Sequence, residues 1–186
     1  GSLSLTDEPS RSATFEAVRI AKEAGAIISY DPNYREPLWD SVENAVEMMR
    51  LMSTFADIMK ISDEETSLLT PYNEPLAAGK YLVENGRKLV VVTLGEKGAL
   101  AVSKTGYVEV PGFKSNVVDT TGAGDSFWGG LVARFLNENV DLDNISTKQV
   151  YDIARYGNAV ASLCVEKRGG IVSIPTFDEV LERLKQ

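Results

Sequence analysis

The chain has no histidine and a single cysteine, Cys164, among its 186 residues. Without histidine, Ser-His-Asp hydrolysis, histidine-activated cysteine nucleophiles and histidine-ligated zinc are excluded. A general base must then be a carboxylate, a lysine or a tyrosine. One cysteine permits no disulfide within the chain, and its position in an apolar helical run predicts a buried, inert thiol. We therefore expect a reducing, cytoplasmic location.

Long apolar runs and excess positive charge are also absent. No stretch reaches about 18 apolar residues, so no membrane span is expected. The net charge of −8 argues against nucleic acid and anionic membranes as partners, because both attract basic surfaces. It does not argue against a nucleotide, which local N–H groups, a metal ion and one or two cations can hold.

Helical and extended patterns alternate along the chain. The clearest strand is 89–94, whose consecutive apolar residues are typical of a parallel strand covered on both faces. Other strands are predicted at 26–30, 56–61, 99–103 and 107–110. Helices are predicted at 12–24 (ended by Gly25), 40–52 (capped by Asp40), 62–69, 76–84, 147–165 and 176–185, the last with the capping pair Thr176 and Glu179. This alternation predicts an α/β fold, a three-layer α/β/α arrangement around a predominantly parallel sheet, in a single domain.

The most informative run is Val118-Asp119-Thr120-Thr121-Gly122-Ala123-Gly124-Asp125-Ser126-Phe127. Small residues at 122–124 stand where a loop turns into a helix, and unpaired N–H groups at such a start bind anions. Asp125, in the first turn, is placed to take a proton from a group that attacks the bound anion. The combination indicates phosphoryl transfer to a hydroxyl. An ordinary helix start, with an aspartate that only favours the helix dipole, is the alternative.

Residues 119–130 resemble the second signature of the ribokinase-like (PfkB) carbohydrate kinases, and the chain resembles their fructokinase branch. Supporting runs lie at 29–35, 37–39, 60–65 and 91–98, in the family's order. The family's first signature, Gly-Gly-x-x-x-Asn-x-Ala, and the leading segment that supplies the sugar lid are absent. The resemblance implies a ribokinase-like fold whose N-terminal part and lid are missing. Residues 1–186 would then be the C-terminal part of a single kinase domain.

The resemblance implies transfer of the ATP γ-phosphate to a sugar hydroxyl, with fructose giving fructose 6-phosphate. Asp125 would be the general base, and Gly122, Ala123 and Gly124 would form the anion hole. Two alternatives stay open: a catalytically incompetent nucleotide-binding fragment or interaction module, and a family kinase for another acceptor, such as ketodeoxygluconate, another sugar or a nucleoside. Because a sheet without its first strands exposes an edge and apolar faces, we also expect a homo-oligomer or a missing N-terminal segment.

The same resemblance implies Mg²⁺ with ATP, and K⁺ as a further candidate. Glu65, in Ser62-x-x-Glu65, would lie near Mg²⁺, although the pattern is also a helix capping box. Asp119 and Thr121, with Gly169 and Ser173 later in the chain, would hold the monovalent cation. Local Asx and Ser/Thr turns are the alternative for these residues.

Ligand contacts are expected after the predicted strands, where ligands gather in α/β sheets. Thr93 and Gly95 would lie along the nucleotide phosphates and ribose, and the resemblance gives Asn158 an adenine contact. Arg35, with Asn33, would bind the acceptor or the transferring phosphate, since a guanidinium suits oxyanions. A salt bridge from Arg35 to Asp31 or Glu36 is the alternative.

Overall fold

The computed structural model describes residues 2–186 as an α/β protein. Its helices are α1 (Ser10–Glu23), α2 (Val42–Ser53), α3 (Thr66–Leu69), α4 (Pro75–Glu84), α5 (Ala123–Asn137), α6 (Thr147–Cys164) and α7 (Phe177–Arg183). Its strands are β1 (Ser29–Tyr30), β2 (Ile58–Ser62), β3 (Leu89–Thr93), β4 (Gly98–Ser103) and β5 (Gly106–Pro111). Short 3₁₀ helices lie at Ser2–Ser4, Glu36–Leu38, Asp63–Glu65, Gly95–Lys97 and Ile171–Ser173. Within residues 2–186, no helix has the length and apolar character to span a bilayer.

The strands form one five-stranded sheet in the order β1-β2-β3-β4-β5. β1 and β2 are parallel, with Ser29 opposite Ile58 and Tyr30 opposite Met59. The two residues between β4 and β5 are too few for a crossover, so that pair is antiparallel. The predicted α/β fold with a mostly parallel sheet is confirmed.

By its internal contacts the chain divides into two compact units. Unit 1 is Gly1–Val92 with Val102–Lys104, and unit 2 is Thr93–Ala101 with Thr105–Gln186. The prediction of a single domain stays a prediction.

The core of unit 1 forms on β2 and β3, whose apolar residues are buried at consecutive positions. Such continuous burial means that both faces of a strand are covered. Buried side chains from the flanking helices include Met49 and Met52 of α2 and Leu82 of α4.

The core of unit 2 forms where α5 packs on α6, and glycine allows the close approach. A Cβ at Gly130 would lie 2.7 Å from Val160 Cγ2, and one at Gly157 would lie 2.9 Å from the Phe127 carbonyl oxygen. A neighbouring cluster joins α6 to α7 and contains Tyr156, Ala159, Val160 and Val180. Helix α5, which carries the predicted base, is therefore fixed along its length against α6.

Two local predictions are wrong. The cap of α2 is Ser41, not Asp40, because the Ser41 hydroxyl is the group that accepts the Asn44 N–H, at 3.1 Å. The strand predicted at 26–30 is reduced to Ser29–Tyr30, since the Asp57 carboxylate takes the Ile28 N–H at 2.8 Å in place of a strand partner. Both capping boxes that the sequence indicates, Ser62 with Glu65 and Thr176 with Glu179, are confirmed.

Candidate functional site

The start of α5 in unit 2 is a tight turn made by glycine. Gly122, the N-cap, has φ +78°, a conformation that costs an L-residue about 1–2 kcal/mol. Its carbonyl accepts the Ser126 N–H at 2.8 Å, and the Ala123 N–H donates to the Thr120 carbonyl at 3.1 Å. The expectation that all three amides at 122–124 are unpaired is therefore wrong for Ala123, whose N–H closes the turn. Within residues 2–186, the Gly122 and Gly124 amides have no hydrogen-bond acceptor.

Asp125 stands in the first turn of α5 with an exposed side chain, beside a cleft of about 410 Å³. Gly122 also lines this cleft. Ser126, the residue after Asp125, lines it too, but its hydroxyl donates to the Ala123 carbonyl at 3.0 Å. The rest of the cleft is mostly apolar, with Gly129, Gly130, Ala133, Tyr156, Val160, Gly170, Ile171, Ile174, Pro175, Phe177 and Val180. Asp125 is the only charged residue in this lining, so an open carboxylate stands beside the free amides of a helix start.

The loop before α5 is held to the segment after α6 by Asp119. Its two carboxylate oxygens accept the Thr121 N–H and the Gly169 N–H, both at 2.9 Å. A hydrogen bond from the Thr121 side chain, followed by the two backbone N–H groups, lowers the pKa of Asp119 to about 2. Three of the four residues predicted for a monovalent cation thus meet, around a carboxylate that stays ionised.

Ser173, the fourth of these residues, is buried beside Cys164. The Ser173 hydroxyl donates to the Gly170 carbonyl at 2.6 Å and lies 2.9 Å from the Cys164 sulfur. Cys164 also lies 3.9 Å from the Thr121 carbonyl, so the buried thiol predicted from the sequence joins the two segments. In the described part of the chain, no group of three or more His, Cys, Asp or Glu side chains is placed to hold a metal ion. The cation site stays a prediction, and it would depend on carbonyl and hydroxyl oxygens.

The residues predicted for the nucleotide also lie in unit 2. Thr93 ends β3 half-buried, and Gly95 follows on an exposed turn with φ +59° and open space where a side chain would stand. Asn158 is 6% exposed, and its Nδ2 donates to the Val110 and Pro111 carbonyls at 3.0 and 3.1 Å. The side-chain amide of Asn158 thus holds the end of β5. Only its oxygen remains for the predicted contact with adenine, which stays a prediction.

Unit 1 carries the predicted acceptor residues on the loop after β1. Asn33 has φ +48°, and its N–H donates to the Asp31 carboxylate at 3.1 Å. Arg35 is exposed, and its Nη1 donates to the Tyr34 carbonyl at 2.8 Å. Among the ion pairs of residues 2–186, none joins Arg35 to Asp31 or Glu36, and Asp31 pairs with Lys60 instead.

Glu65 is buried and holds two segments of unit 1 together. One carboxylate oxygen accepts the Tyr34 N–H at 2.7 Å, and the other accepts the N–H and hydroxyl of Ser62 at 2.7 and 3.0 Å. Burial, then the charges of Glu65 and Asp31, raises the pKa of Tyr30, so that phenol stays neutral. Since three donors already occupy Glu65, one lone-pair direction is left for a contact with a metal-bound water.

Two polar contacts of the loop after β1 were not predicted from the sequence. Lys60 stands in the middle of β2 and pairs with Asp31 at 2.7 Å, and the Glu65 carboxylate accepts the Tyr34 N–H. A lysine inside an otherwise apolar strand is the sequence signal for the first. No local pattern indicates the second, because its partners are 31 residues apart.

The amino-acid sequence matches that of carbohydrate kinases. The family model for pfkB family carbohydrate kinases matches residues 1–177. Fructokinase-2 of Solanum lycopersicum is 40% identical over 186 residues, which are 100% of this chain and 56% of that protein. The chain therefore spans about half the length of such curated relatives.

Solved structures of similar fold cover nearly all of the chain. A fructokinase from Vibrio cholerae O395, with fructose, ADP and calcium ion bound, matches with a TM-score of 0.88 and 33% identity, over 98% of this chain and 58% of its own. An aminoimidazole riboside kinase from Salmonella enterica, complexed with aminoimidazole riboside and an ATP analog, matches with a TM-score of 0.84 and 29% identity, over 100% of this chain and 61% of its own. With the α5 start described above, these matches show that the chain belongs to the pfkB family of carbohydrate kinases.

Proposed function

We propose that this chain is the part of an ATP-dependent sugar kinase that binds the transferring phosphate and deprotonates the acceptor hydroxyl. The observation that carries the proposal is the start of α5, where Asp125 is exposed beside the free amides of Gly122 and Gly124. A carboxylate used only for the helix dipole needs no cleft, and this one lines a cleft of about 410 Å³.

In the proposed reaction the α5 start binds the γ-phosphate. The N–H groups of Gly122 and Gly124 and the positive end of the helix stabilise the charge that develops on the phosphoryl group. Asp125 accepts the proton of the sugar hydroxyl as its oxygen attacks phosphorus. Phosphoryl transfer of this kind depends mainly on positioning and on electrostatic stabilisation.

We propose Mg²⁺ as the ion that neutralises the ATP phosphates, with Glu65 contacting it through water. The three donors on Glu65 leave one lone-pair direction of the carboxylate for such a contact. The proposed K⁺ site is formed by Asp119 and Thr121 with Gly169 and Ser173, two segments that hydrogen bonds hold together.

Fructose is the proposed acceptor, giving fructose 6-phosphate, with Arg35 and Asn33 contacting it. Support comes from the tomato and Vibrio fructokinases. The Salmonella relative, which binds a riboside, keeps a nucleoside acceptor as the competing proposal. An ADP-release assay with fructose, other sugars, ketodeoxygluconate and nucleosides distinguishes these acceptors.

The test of the base is Asp125→Asn, with Asp178→Asn as its matched control. Asp178 is also an exposed aspartate in the first turn of a helix, but it lies outside the lining of the cleft. Asp125→Asn should lower sugar-stimulated ADP release by about 10²–10⁴-fold while ATP affinity changes little, and Asp178→Asn should leave both unchanged. Turnover that survives Asp125→Asn would refute the assignment.

A second candidate is a nucleotide-binding module without catalysis. The free amides of Gly122 and Gly124 would suffice to bind a phosphate in such a module, whereas catalysis also requires both reactants to be held in register. The same assay on this chain and on a form extended at its amino end separates the two: ATP binding without sugar-stimulated ADP release in both forms would support the module.

Self-association, or a partner segment, stays a prediction for this chain. Ile171 and Val172 are 88% and 83% exposed, and apolar side chains at such exposure usually mark a contact surface when they cluster. Sedimentation of a monomer at every concentration tested would count against self-association.

A further inference from the structure

Lys60 is a charged residue in the core of unit 1. It lies in β2 between Met59 and Ile61, and both of these side chains are fully buried. The Lys60 ammonium donates to Asp31 Oδ2 at 2.7 Å, with 7% and 14% of the two side chains exposed. A buried ion pair of this kind often contributes nothing to stability compared with apolar residues of the same size. The second carboxylate oxygen of Asp31 indicates a role of the pair other than stability.

That oxygen, Oδ1, accepts the Asn33 N–H at 3.1 Å. Asn33 has φ +48°, in the left-handed region that only a minority of non-glycine residues adopt. An asparagine there, closed by an aspartate two residues before it, is an Asx turn. Lys60 thus holds the Asp31 carboxylate, and that carboxylate closes the turn at Asn33.

The next amide along the loop is held from a second direction. Tyr34 donates its N–H to Glu65 at 2.7 Å, and Glu65 is itself fixed by Ser62 at the end of β2. Two successive backbone amides of the loop, those of Asn33 and Tyr34, thus donate to two different carboxylates. Residues of β2 hold both carboxylates in place. Arg35 follows at once, exposed to solvent.

We propose that Lys60 is a positioning residue for the acceptor-binding loop at 31–35, acting through Asp31. By holding that carboxylate, Lys60 keeps Asn33 in its left-handed turn and thereby fixes the direction in which Asn33 and Arg35 leave the loop. The consequence for sugar binding rests on the proposed kinase function. The consequence for the order of the loop does not.

The chain contains a matched control for this pair. Lys22 donates to Asp57 Oδ1 at 3.1 Å, and Asp57 Oδ2 accepts the Ile28 N–H at 2.8 Å. The arrangement is again lysine, aspartate and backbone amide, but the two side chains are more exposed, at 40% and 19%. It holds the residue before β1 rather than the loop after it.

The experiment compares Lys60→Met with Lys22→Met by two measurements: hydrogen exchange of individual amides, and sugar-stimulated ADP release. Lys60→Met should speed exchange of the Asn33 and Tyr34 amides at least about tenfold. In the same variant the KM for the sugar should rise at least about tenfold, while the KM for ATP and kcat change less than about twofold. Lys22→Met should alter exchange only near Ile28 and leave both KM values unchanged.

Because Lys60→Met leaves a charged Asp31 side chain that is only 14% exposed, the double variant Lys60→Met with Asp31→Asn covers the case in which the single variant does not fold. It removes both charges and should fold, with the same fast exchange at 33 and 34. Unchanged exchange and unchanged sugar KM in either folded variant would overturn the proposal. If the unaltered protein showed no sugar-stimulated release, the kinase function would fail, and the exchange rates alone would decide whether Lys60 orders the loop.

Discussion

Gly129 and Gly130 are neighbours in α5, yet the same substitution should change stability in opposite directions. A Cβ at Gly129 meets nothing within 4 Å, whereas one at Gly130 would lie 2.7 Å from Val160 Cγ2 and 3.0 Å from Val160 Cβ. Alanine is favoured over glycine in a helix interior by about 0.5–1 kcal/mol, and overpacking costs about 1–3 kcal/mol. Gly129→Ala should therefore be stabilised. Gly130→Ala should be about 1–3 kcal/mol less stable than Gly129→Ala, because the helix gain is common to both.

Thermal unfolding measures this difference directly. For a chain of this length 1 kcal/mol shifts the melting temperature by about 2–4 °C, so the two variants should differ by roughly 2–12 °C. In a Val160→Ala background the penalty at Gly130 should shrink, because the Cγ2 at 2.7 Å is removed while the Cβ at 3.0 Å remains. A double-mutant cycle would show this as a coupling between the two sites. Equal melting temperatures for Gly129→Ala and Gly130→Ala would refute the reasoning, since they would mean that α6 yields at no cost.

Three further predictions concern single groups. The pKa of Asp119 is lowered from 3.8 to about 2, so its contribution to stability is complete above about pH 4 and is lost as pH falls through 2. Asp119→Asn should remove that acid dependence of the free energy of unfolding in urea and should speed hydrogen exchange of the Gly169 amide. An unchanged acid dependence would contradict the assignment. The buried Tyr30 hydroxyl has no hydrogen-bond partner among residues 2–186, so Tyr30→Phe should raise the free energy of unfolding by about 1 kcal/mol, whereas a loss of that size would reveal a partner. Gly98 has φ +101°, and a Cβ there would lie 2.1 Å from the Val110 carbonyl oxygen; Gly98→Ala should lower the free energy of unfolding by at least about 3 kcal/mol, and a native urea midpoint would show that the β4 start can move.

The fold was largely predictable because hydrophobic periodicity decides which segments are helices and strands. The run at 89–94 is the clearest case, since its four consecutive apolar residues at 89–92 are all buried in β3 as expected. Segment ends were less predictable, because polar groups compete for the same amides. Ser41 rather than Asp40 caps α2, and Asp57 takes the Ile28 N–H that would otherwise belong to a strand.

For the candidate site, the sequence predicts the types and the order of the residues but not their hydrogen-bond partners. Asp125 is exposed beside a cleft, as a base must be. The Ala123 amide and the Asn158 amide group are already used within the fold, by the Thr120 carbonyl and by the end of β5. Such pairings depend on distances between segments far apart in sequence, which no local spacing encodes.

The hydrogen bond from the Gly169 amide to Asp119 spans 50 residues and has a consequence for synthesis of the chain. A nascent polypeptide that has emerged only as far as Cys164 already contains all of α5 and α6. It still lacks the donor that fixes the aspartate ahead of α5. The turn at the start of α5 therefore reaches its final form late, when the segment beyond α6 has left the ribosome and folded back.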